Sequence, residues 1–162
     1  EMAGDLIPDR DDTETSIAMA ALSGPGVRVT LTDAPLSVQP AGVADDLLVV
    51  HQQDIQAVTN ALWESGAEAI AVQGQRLNST TGIKCVGNTV VLEGVPYAPP
   101  YVIEAIGDPD LMMRALEESP QLKNYRDYVE VYRLGYEAVR VDRVAVAPYR
   151  GSTDLKYAQP GG

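Results

Sequence analysis

The pattern of apolar and polar positions predicts a strand, a helix and a second strand in the first half of the chain. Residues 27–32 alternate between apolar and polar side chains and are rich in β-branched residues, which is typical of a half-buried strand. Residues 51–65 carry apolar side chains at helical spacing and are followed by Gly66, a common helix stop. The apolar run 68–72 comes next and predicts a strand parallel to the first, because a helical crossover joins the two.

The second half of the chain predicts more strands and two helices. Gly87-Asn88 is typical of a two-residue hairpin turn, and Asp108 followed by Pro109 is typical of a helix N-terminus. Pro120 separates the first of these helices from the second. The predicted strands are 83–86, 89–92, 101–106, 136–141 and 144–148, and the predicted helices are 110–118 and 120–134.

This order of elements predicts an α+β fold. It matches a ferredoxin-like βαββαβ plait with an extra β-hairpin, in which a mixed sheet carries the helices on one face. A three-layer α/β arrangement is the alternative. The chain has 162 residues, 45% of them hydrophobic, which suits one globular domain. We divide it into an acidic leader or end of a stalk at 1–22, a globular domain at 23–148 and a tail at 149–162.

The charge balance argues against nucleic acid as a partner. The chain has 12 Lys and Arg residues against 23 Asp and Glu residues, a formal net charge of −11, which opposes binding to phosphate polymers and anionic lipid. The apolar runs are much shorter than the roughly 18 residues of a membrane span. We therefore expect the chain as given to be soluble.

Few residues suggest catalysis. Cys85 and His51 are each the single residue of their type, so an intrachain disulfide and a multi-histidine zinc site are excluded, and we predict no metal or cofactor. Cys85, His51 and Asp54 are the right residue types for a thiol nucleophile, but a cysteine in mid-strand favours a buried, inert thiol. Whether the protein is an enzyme stays open, and a noncatalytic role is favoured.

The polar run that follows strand 68–72 is the predicted binding surface. Polar side chains after the carboxyl end of a strand often bind ligands in α/β layouts. The guanidinium of Arg76 would grip a carboxylate, and its neighbours would bind amide or hydroxyl groups of a peptide or glycan. The predicted ligand- or partner-binding residues are Arg76, Gln73, Gln75, Asn78, Ser79, Thr80 and Lys84. The alternative is that these groups satisfy the loop backbone and pair with nearby acids.

Three tyrosines on nearby helical turns are a second candidate for a binding surface. Tyr125, Tyr128 and Tyr132 would form an aromatic binding stripe if they faced solvent. Packing against the sheet, with the hydroxyl groups at the rim, is the favoured interpretation.

Several longer strings resemble one bacterial family. They are SGPGVRVTLTD at 23–33, GAEAIAVQGQRL at 66–77, IKCVGNTVVLEGVP at 83–96 and APPYVIEAIGDP at 98–109. Together they resemble the domain-of-unknown-function family 881, the YlxW-like membrane-anchored envelope proteins, from about Ser23 to about Pro148. The family has no established catalytic residues, so the resemblance assigns no reaction.

The resemblance implies a location and a kind of partner. It implies a single N-terminal membrane anchor with this domain outside the cytoplasmic membrane of a Gram-positive or actinobacterial cell, close to cell-wall and division functions. We therefore predict a noncatalytic binding or scaffolding domain whose partner is an envelope protein or a cell-wall component. The alternatives are an enzyme acting on cell-wall peptide or glycan and a homodimerising structural head.

Overall fold

The computed structural model describes residues 20–38, 41–78, 82–86 and 89–148, without the side chain of Asp46. The predicted tail at 149–162 lies outside these residues, as does the predicted leader except for its last three positions. Leu22, which we assigned to the leader, is the first residue of a strand. The division into leader, domain and tail otherwise stays a prediction.

The described residues form an α+β structure with eight strands and three α-helices, as the sequence predicted at the level of fold class. The strands are β1 (Leu22–Thr32), β2 (Ala69–Val72), β3 (Gln75–Arg76), β4 (Ile83–Val86), β5 (Thr89–Leu92), β6 (Val95–Tyr97), β7 (Tyr101–Ile106) and β8 (Gly135–Val146). The helices are α1 (Gln52–Glu64), α2 (Pro109–Glu118) and α3 (Pro120–Tyr132), and a 3₁₀ turn spans Asp45–Leu48. Among the described residues no helix is both long and apolar enough to cross a membrane.

The strands form two separate antiparallel sheets. The main sheet has the order β3-β2-β7-β1-β8, and the small sheet has the order β4-β5-β6. Every pair of neighbouring strands is antiparallel, so the prediction of a mixed sheet is wrong. Strands β1 and β2 run in the same direction because each pairs antiparallel with β7, which lies between them. The predicted extra hairpin of β4 and β5 does not extend the main sheet, since β5 pairs on its other side with β6.

One face of the main sheet packs against the helices. Val27, Val29 and Leu31 of β1 are fully buried and belong to the same core cluster as apolar residues from α1, α2 and α3. The alternate residues of the strands lie on the opposite face, where Ala69, Ala71, Ile106, Val144 and Val146 form a second cluster without helix residues. The two clusters follow from the period of two along each strand.

Strand β8 is one strand, although the sequence predicted two. The pairing of β1 with β8 shifts between Gly24 and Gly26, which face Val144 and Val141, so β8 carries one extra residue there. The bulge falls at the polar residues that separate the two predicted strands. Pro25, which cannot donate a ladder hydrogen bond, sits at the same shift, the position where an inner strand tolerates proline.

The helix ends carry the signals that the sequence contained. The Asp108 side chain accepts hydrogen bonds from the backbone N–H groups of Asp110 and Leu111 at the start of α2. Ser119 caps α3 through Leu122 in the same way. At the end of α1, Gly66 has a φ of 96°, the left-handed conformation in which glycine is favoured.

A side chain at Gly26 of β1 would meet the backbone of β7, and we predict that Gly26→Ala strongly destabilises the fold. A Cβ atom at Gly26 would lie 1.7 Å from the carbonyl oxygen of Ala105, so the backbone of two paired strands would have to separate. We expect a loss of about 3 kcal/mol in the free energy of unfolding, measured by urea titration. Gly82→Ala is the control, since the nearest atom to its Cβ would be 4.0 Å away. Equal stability of the two variants would contradict this packing.

Candidate functional site

The polar run that the sequence singled out begins at the turn between β2 and β3, where Gln73 is held by its own chain. The Gln73 backbone N–H donates to the Val102 carbonyl over 2.9 Å, and the Val102 N–H donates to the Gln73 side-chain oxygen over 2.8 Å. The Gln73 side-chain amide also donates to the carbonyl oxygens of Ala98 and Pro100. Gln73 therefore ties the start of β7 to the end of β2, and its amide is engaged.

Gln75 and Arg76 of β3 are engaged as well. The Gln75 amide donates to the hydroxyl oxygen of Tyr97 in the small sheet. Arg76 is only 6% exposed, and its guanidinium donates to the carbonyl oxygens of Ala20 and Ala147 over 2.6 and 3.3 Å. Burial lowers the pKa of the Arg76 guanidinium, which nevertheless stays protonated at neutral pH. Arg76 thus joins the edge strand β3 to residues flanking β1 and β8.

The rest of the run lies around β4. Lys84 is exposed on β4, whereas Asn78 is half-buried and has an interaction partner of its own. Ser79 and Thr80 lie outside the described residues. Within the described part of the run, the structure therefore brings Gln73 and Gln75 together at the junction of the two sheets and leaves Lys84 facing solvent.

A concave surface lies elsewhere on the molecule, between the 3₁₀ turn, α1 and α3. This cleft has a volume of about 680 Å³, within the range of roughly 300–1,000 Å³ that is usual for small-molecule sites. Its lining residues are Leu47, Val49, His51, Gln53, Asp54, Gln56, Ala57, Asn60, Gln121, Asn124 and Tyr128. None of them belongs to the run predicted from the sequence as the binding surface.

Two polar stripes at helical spacing supply most of this lining. Gln53, Gln56 and Asn60 lie three, then four residues apart on α1, so they share one face of that helix. Gln121 and Asn124 share one face of α3 with Tyr128 for the same reason. The opposite side of α1 is buried in the core, which fixes the direction of its polar stripe.

The five amides of the cleft differ from those at the sheet junction, because none makes a side-chain hydrogen bond within the described part of the chain. All five residues are exposed. By contrast, the amide of Gln52 accepts from the Cys85 N–H over 2.8 Å, and those of Gln73 and Gln75 are bonded as described above. The cleft therefore presents donors and acceptors that are available to a ligand.

His51 and Asp54 lie at the end of the cleft where α1 begins. The Asp54 carboxylate accepts from the His51 N–H over 2.8 Å, and its oxygen lies 3.8 Å from Nδ1 of the imidazole. Burial raises the pKa of Asp54, although the hydrogen bond and the charge of His51 act in the opposite direction. This reciprocal arrangement is a capping box, which accounts for the pair structurally.

Cys85 approaches the same end of α1 from the small sheet. Its Sγ accepts a hydrogen bond from the Gln52 N–H over 3.1 Å, and Gln52 is the residue that follows His51. The thiol therefore lies at the start of α1, near His51. Cys85 is half-buried rather than fully enclosed. The residue types considered for a thiol nucleophile thus come from neighbouring segments, with Cys85 and His51 both engaged in structural contacts.

The three tyrosines of α3 have different environments. Tyr125 is 2% exposed and donates its hydroxyl to the Gly135 carbonyl over 2.7 Å, and burial raises the pKa of this phenol. Tyr128 is 40% exposed and lines the cleft, with its ring centroid 5.7 Å from that of Tyr132. Packing therefore accounts for Tyr125, whereas Tyr128 offers an aromatic face to the cleft.

The sequence carries a pattern that marks both walls of the cleft. Amide residues recur at helical spacing in both α1 and α3, on helix faces that lack basic residues. Reading the two stripes as one site requires knowing that α1 and α3 lie side by side, and helix periodicity does not contain that information.

Arg76 and Lys84 allow a direct test of which cation of the run is structural. We expect Arg76→Ala to lower the free energy of unfolding by about 2 kcal/mol, because the variant loses charged hydrogen bonds to two backbone carbonyls. Lys84→Ala is the matched control and should leave stability within about 0.5 kcal/mol, since its side chain is exposed. Urea titration measures both, and an unchanged Arg76→Ala variant would argue against the role assigned to the guanidinium.

The raised pKa of Asp54 predicts a specific pH dependence. The folded state holds the Asp54 proton more tightly than the unfolded chain, so ionisation of Asp54 costs stability as the pH rises through the interval above its ordinary pKa of 3.8. Asp54→Asn cannot ionise. Relative to this variant, the wild type should therefore be more stable at about pH 4 than at about pH 7.

Urea titrations of both proteins at the two pH values measure this difference. Asp142→Asn, at an exposed position of β8, controls for the loss of one negative charge. A wild type that gains stability over Asp54→Asn as the pH rises would show that hydrogen bonding, and not burial, dominates at Asp54.

Comparison with known proteins finds relatives across almost the whole chain. The model of the family described as "Bacterial protein of unknown function (DUF881)" matches residues 9–159. UPF0749 protein YlxW of Bacillus subtilis is 40% identical over 68% of this chain and 47% of its own length. UPF0749 protein Rv1823 of Mycobacterium tuberculosis is 32% identical over 95% of this chain and 52% of its own length. The chain thus spans about half the length of these curated relatives.

A solved structure is similar to this chain in both fold and sequence. The crystal structure of an uncharacterized conserved protein from Mycobacterium tuberculosis is 26% identical, with a TM-score of 0.67, over 85% of this chain and 91% of that one. The family resemblance drawn from the sequence strings is confirmed. The chain belongs to the bacterial DUF881 family of proteins of unknown function.

Proposed function

We propose that this chain is a noncatalytic binding or scaffolding domain of a membrane-anchored bacterial envelope protein. In this proposal the domain lies outside the cytoplasmic membrane, acts in association with the cell wall or cell division, and binds an envelope protein or a cell-wall component. The anchor belongs to a part of the protein other than this chain. The coverage of about half of each curated relative supports the idea of a longer protein.

The observation that carries the binding role is the cleft between α1 and α3. It combines the size of a ligand site with five amides that have no partner within the described part of the chain. Both helices are fixed by buried residues, such as Ile55 and Leu62 of α1 and Leu122 of α3, so the polar groups sit on a rigid frame. Rigid placement reduces the entropy that binding would cost.

The polar run 73–84 is a second contact surface in this proposal. Lys84 is exposed and would contact the partner directly, together with Asn78, Ser79 and Thr80. Gln73, Gln75 and Arg76 contribute by holding the run in position through the hydrogen bonds described above.

An enzyme acting on cell-wall peptide or glycan is the second candidate. The presence of His51 and Asp54 together in the cleft favours it, because a histidine and a carboxylate with a raised pKa are typical of acid–base catalysis. The capping box already explains both side chains, which is why we prefer the binding role. A homodimerising structural head is the third candidate.

We also infer that the fold is a modified ferredoxin-like plait. Counting α2 and α3 together, the main elements follow the order βαββαβ along the chain, with β2, β7, β1 and β8 adjacent in the sheet. The additions are the edge strand β3 and the small sheet, both inserted between β2 and β7.

A crosslinking pull-down tests the proposed binding role. The full chain is used as bait against envelope extract of a Gram-positive or actinobacterial cell, beside Tyr128→Ala, Lys84→Ala, Arg76→Ala and empty beads. We expect the wild type to recover a specific protein or wall component, and Tyr128→Ala, which alters only the exposed wall of the cleft, to lose most of it. A loss in Lys84→Ala would assign the contact to the 73–84 surface.

Three outcomes would contradict the binding role. The first is recovery no greater than that of empty beads, and the second is equal recovery by wild type and all variants. Either result would favour the structural head, and sedimentation of the purified chain would then detect self-association. Turnover of wall fragments by the wild type that is lost in His51→Ala would favour the enzyme instead. Loss of recovery in Arg76→Ala alone would support the 73–84 surface only if urea titration shows that this variant is still folded under the conditions of the pull-down.

A further inference from the structure

The lining of the cleft selects against charged ligands. Among the described lining residues there is no Lys or Arg side chain, and the His51 imidazole lies beside Asp54, so a phosphate or carboxylate group would find no permanent cation to pair with. Among the lining residues that the structure describes, Asp54 supplies the one acidic side chain, and its carboxylate already accepts the His51 N–H. In a chain of net charge −11, such a surface fits an uncharged polar ligand.

The available hydrogen-bonding groups fit hydroxyl and acetamido groups. Each side-chain amide offers two N–H donors and one carbonyl acceptor, and a sugar hydroxyl both donates and accepts. Gln53, Gln56 and Asn60 face this space from α1, and Gln121 and Asn124 face it from α3. Amides from two helices can therefore bind substituents on both edges of a sugar ring.

The apolar lining residues complete this chemistry. Tyr128 exposes part of its ring to the cleft, and an aromatic face packs well against the C–H groups of a pyranose ring. Leu47, Val49 and Ala57 add small apolar surfaces, which suit the methyl group of an acetamido substituent.

We propose that the cleft between the 3₁₀ turn, α1 and α3 binds an uncharged saccharide that carries acetamido groups. Tyr128 stacks on a sugar ring, and the amides of the two helical stripes bind its hydroxyl and acetamido groups. This inference rests on the proposed binding function and names the ligand class of its main site.

A peptide fits the same cleft less well. Extended peptides gain affinity by pairing with a free strand edge, and helical ones by placing several apolar anchors in a continuous groove. The cleft is walled by helices and a 3₁₀ turn rather than by a strand edge, and its apolar residues are few. Its abundance of unengaged amides favours a ligand that is rich in hydroxyl groups.

Titration of the full chain with N-acetylglucosamine tetramer, followed by calorimetry and by amide shifts in NMR spectra, tests the proposal. We expect saturable binding, with the largest shifts in α1 and α3 around the cleft. Glucose tetramer of the same linkage lacks the acetamido groups, and its affinity should be at least about fivefold lower. Equal or tighter binding of the glucose tetramer would overturn the acetamido assignment.

Three exposed substitutions define the site without threatening the fold. Tyr128→Ala should weaken binding about tenfold, through loss of the aromatic face, and Gln56→Ala about fivefold, through loss of one amide. Glu130→Ala is the control on α3. Glu130 is exposed two residues beyond Tyr128, on another side of the helix, and does not line the cleft. It should leave the affinity unchanged.

The outcomes separate this inference from the proposed function. No saturable binding by the wild type, or the same affinity in wild type, Tyr128→Ala and Gln56→Ala, would overturn the saccharide site. If the pull-down from envelope extract still depends on Tyr128, the binding function stands and the ligand is of another class, such as a peptide. If the titration shows no binding that depends on Tyr128 or Gln56, and the pull-down depends on neither Tyr128 nor Lys84, both proposals fail.

Discussion

Val27, Val29 and Leu31 of β1 are completely buried beneath the helices, and the rest of the structure is arranged around this row. Burial of three β-branched or leucine side chains stabilises the fold by about 5 kcal/mol or more before entropy is counted. The row requires partners on both sides of β1: β8 pairs with almost the full length of β1, and β7 pairs with residues 26–31. Gly26 allows β7 to come close enough, because any side chain there would meet the Ala105 carbonyl.

Burying one face of the sheet leaves the outer surfaces of the helices free to carry polar groups. In α1, Ile55, Val58 and Leu62 are fully buried, so the positions between them must face outward or toward neighbouring helices. The cleft forms where the outward stripe of α1 meets that of α3. The core therefore determines where the amides point, although it does not require that they be amides.

Local patterns predicted the elements well where local forces decide them. Strand β7 has the predicted bounds Tyr101–Ile106, and α1 differs from the predicted helix by one residue at each end. The start of β1 was missed because residues 23–26 resemble a turn. In the folded chain β8 pairs with this segment, and long-range pairing overrides the local preference of glycine and proline. For the same reason, the position of the small sheet outside the main one was not predictable.

The candidate site was harder to predict because it depends on which elements become neighbours. Arg76 was chosen for its chemistry, and the fold buries it against the carbonyls of Ala20 and Ala147, residues more than 50 positions away in sequence. Tyr128 was grouped with Tyr125 by spacing alone, yet one ring is buried and the other lines the cleft. Residue type and periodicity thus identified candidate groups, while tertiary contacts decided which are available.

The hydrogen bonds of Gln73 have a consequence for how the family can vary. They join the two ends of everything inserted between β2 and β7, since Gln73 binds Val102 through its backbone and side chain and reaches the Ala98 and Pro100 carbonyls as well. With its two ends joined in this way, the insertion returns to the framework where it left it, and Ile83, Val90 and Leu92 pack into the main core. Doubling the length of a flexible excursion costs only about 0.6 kcal/mol in closure entropy. Related proteins are therefore free to lengthen or shorten the loops within this insertion, whereas β3 and the buried residues of the insertion remain part of the main sheet and core.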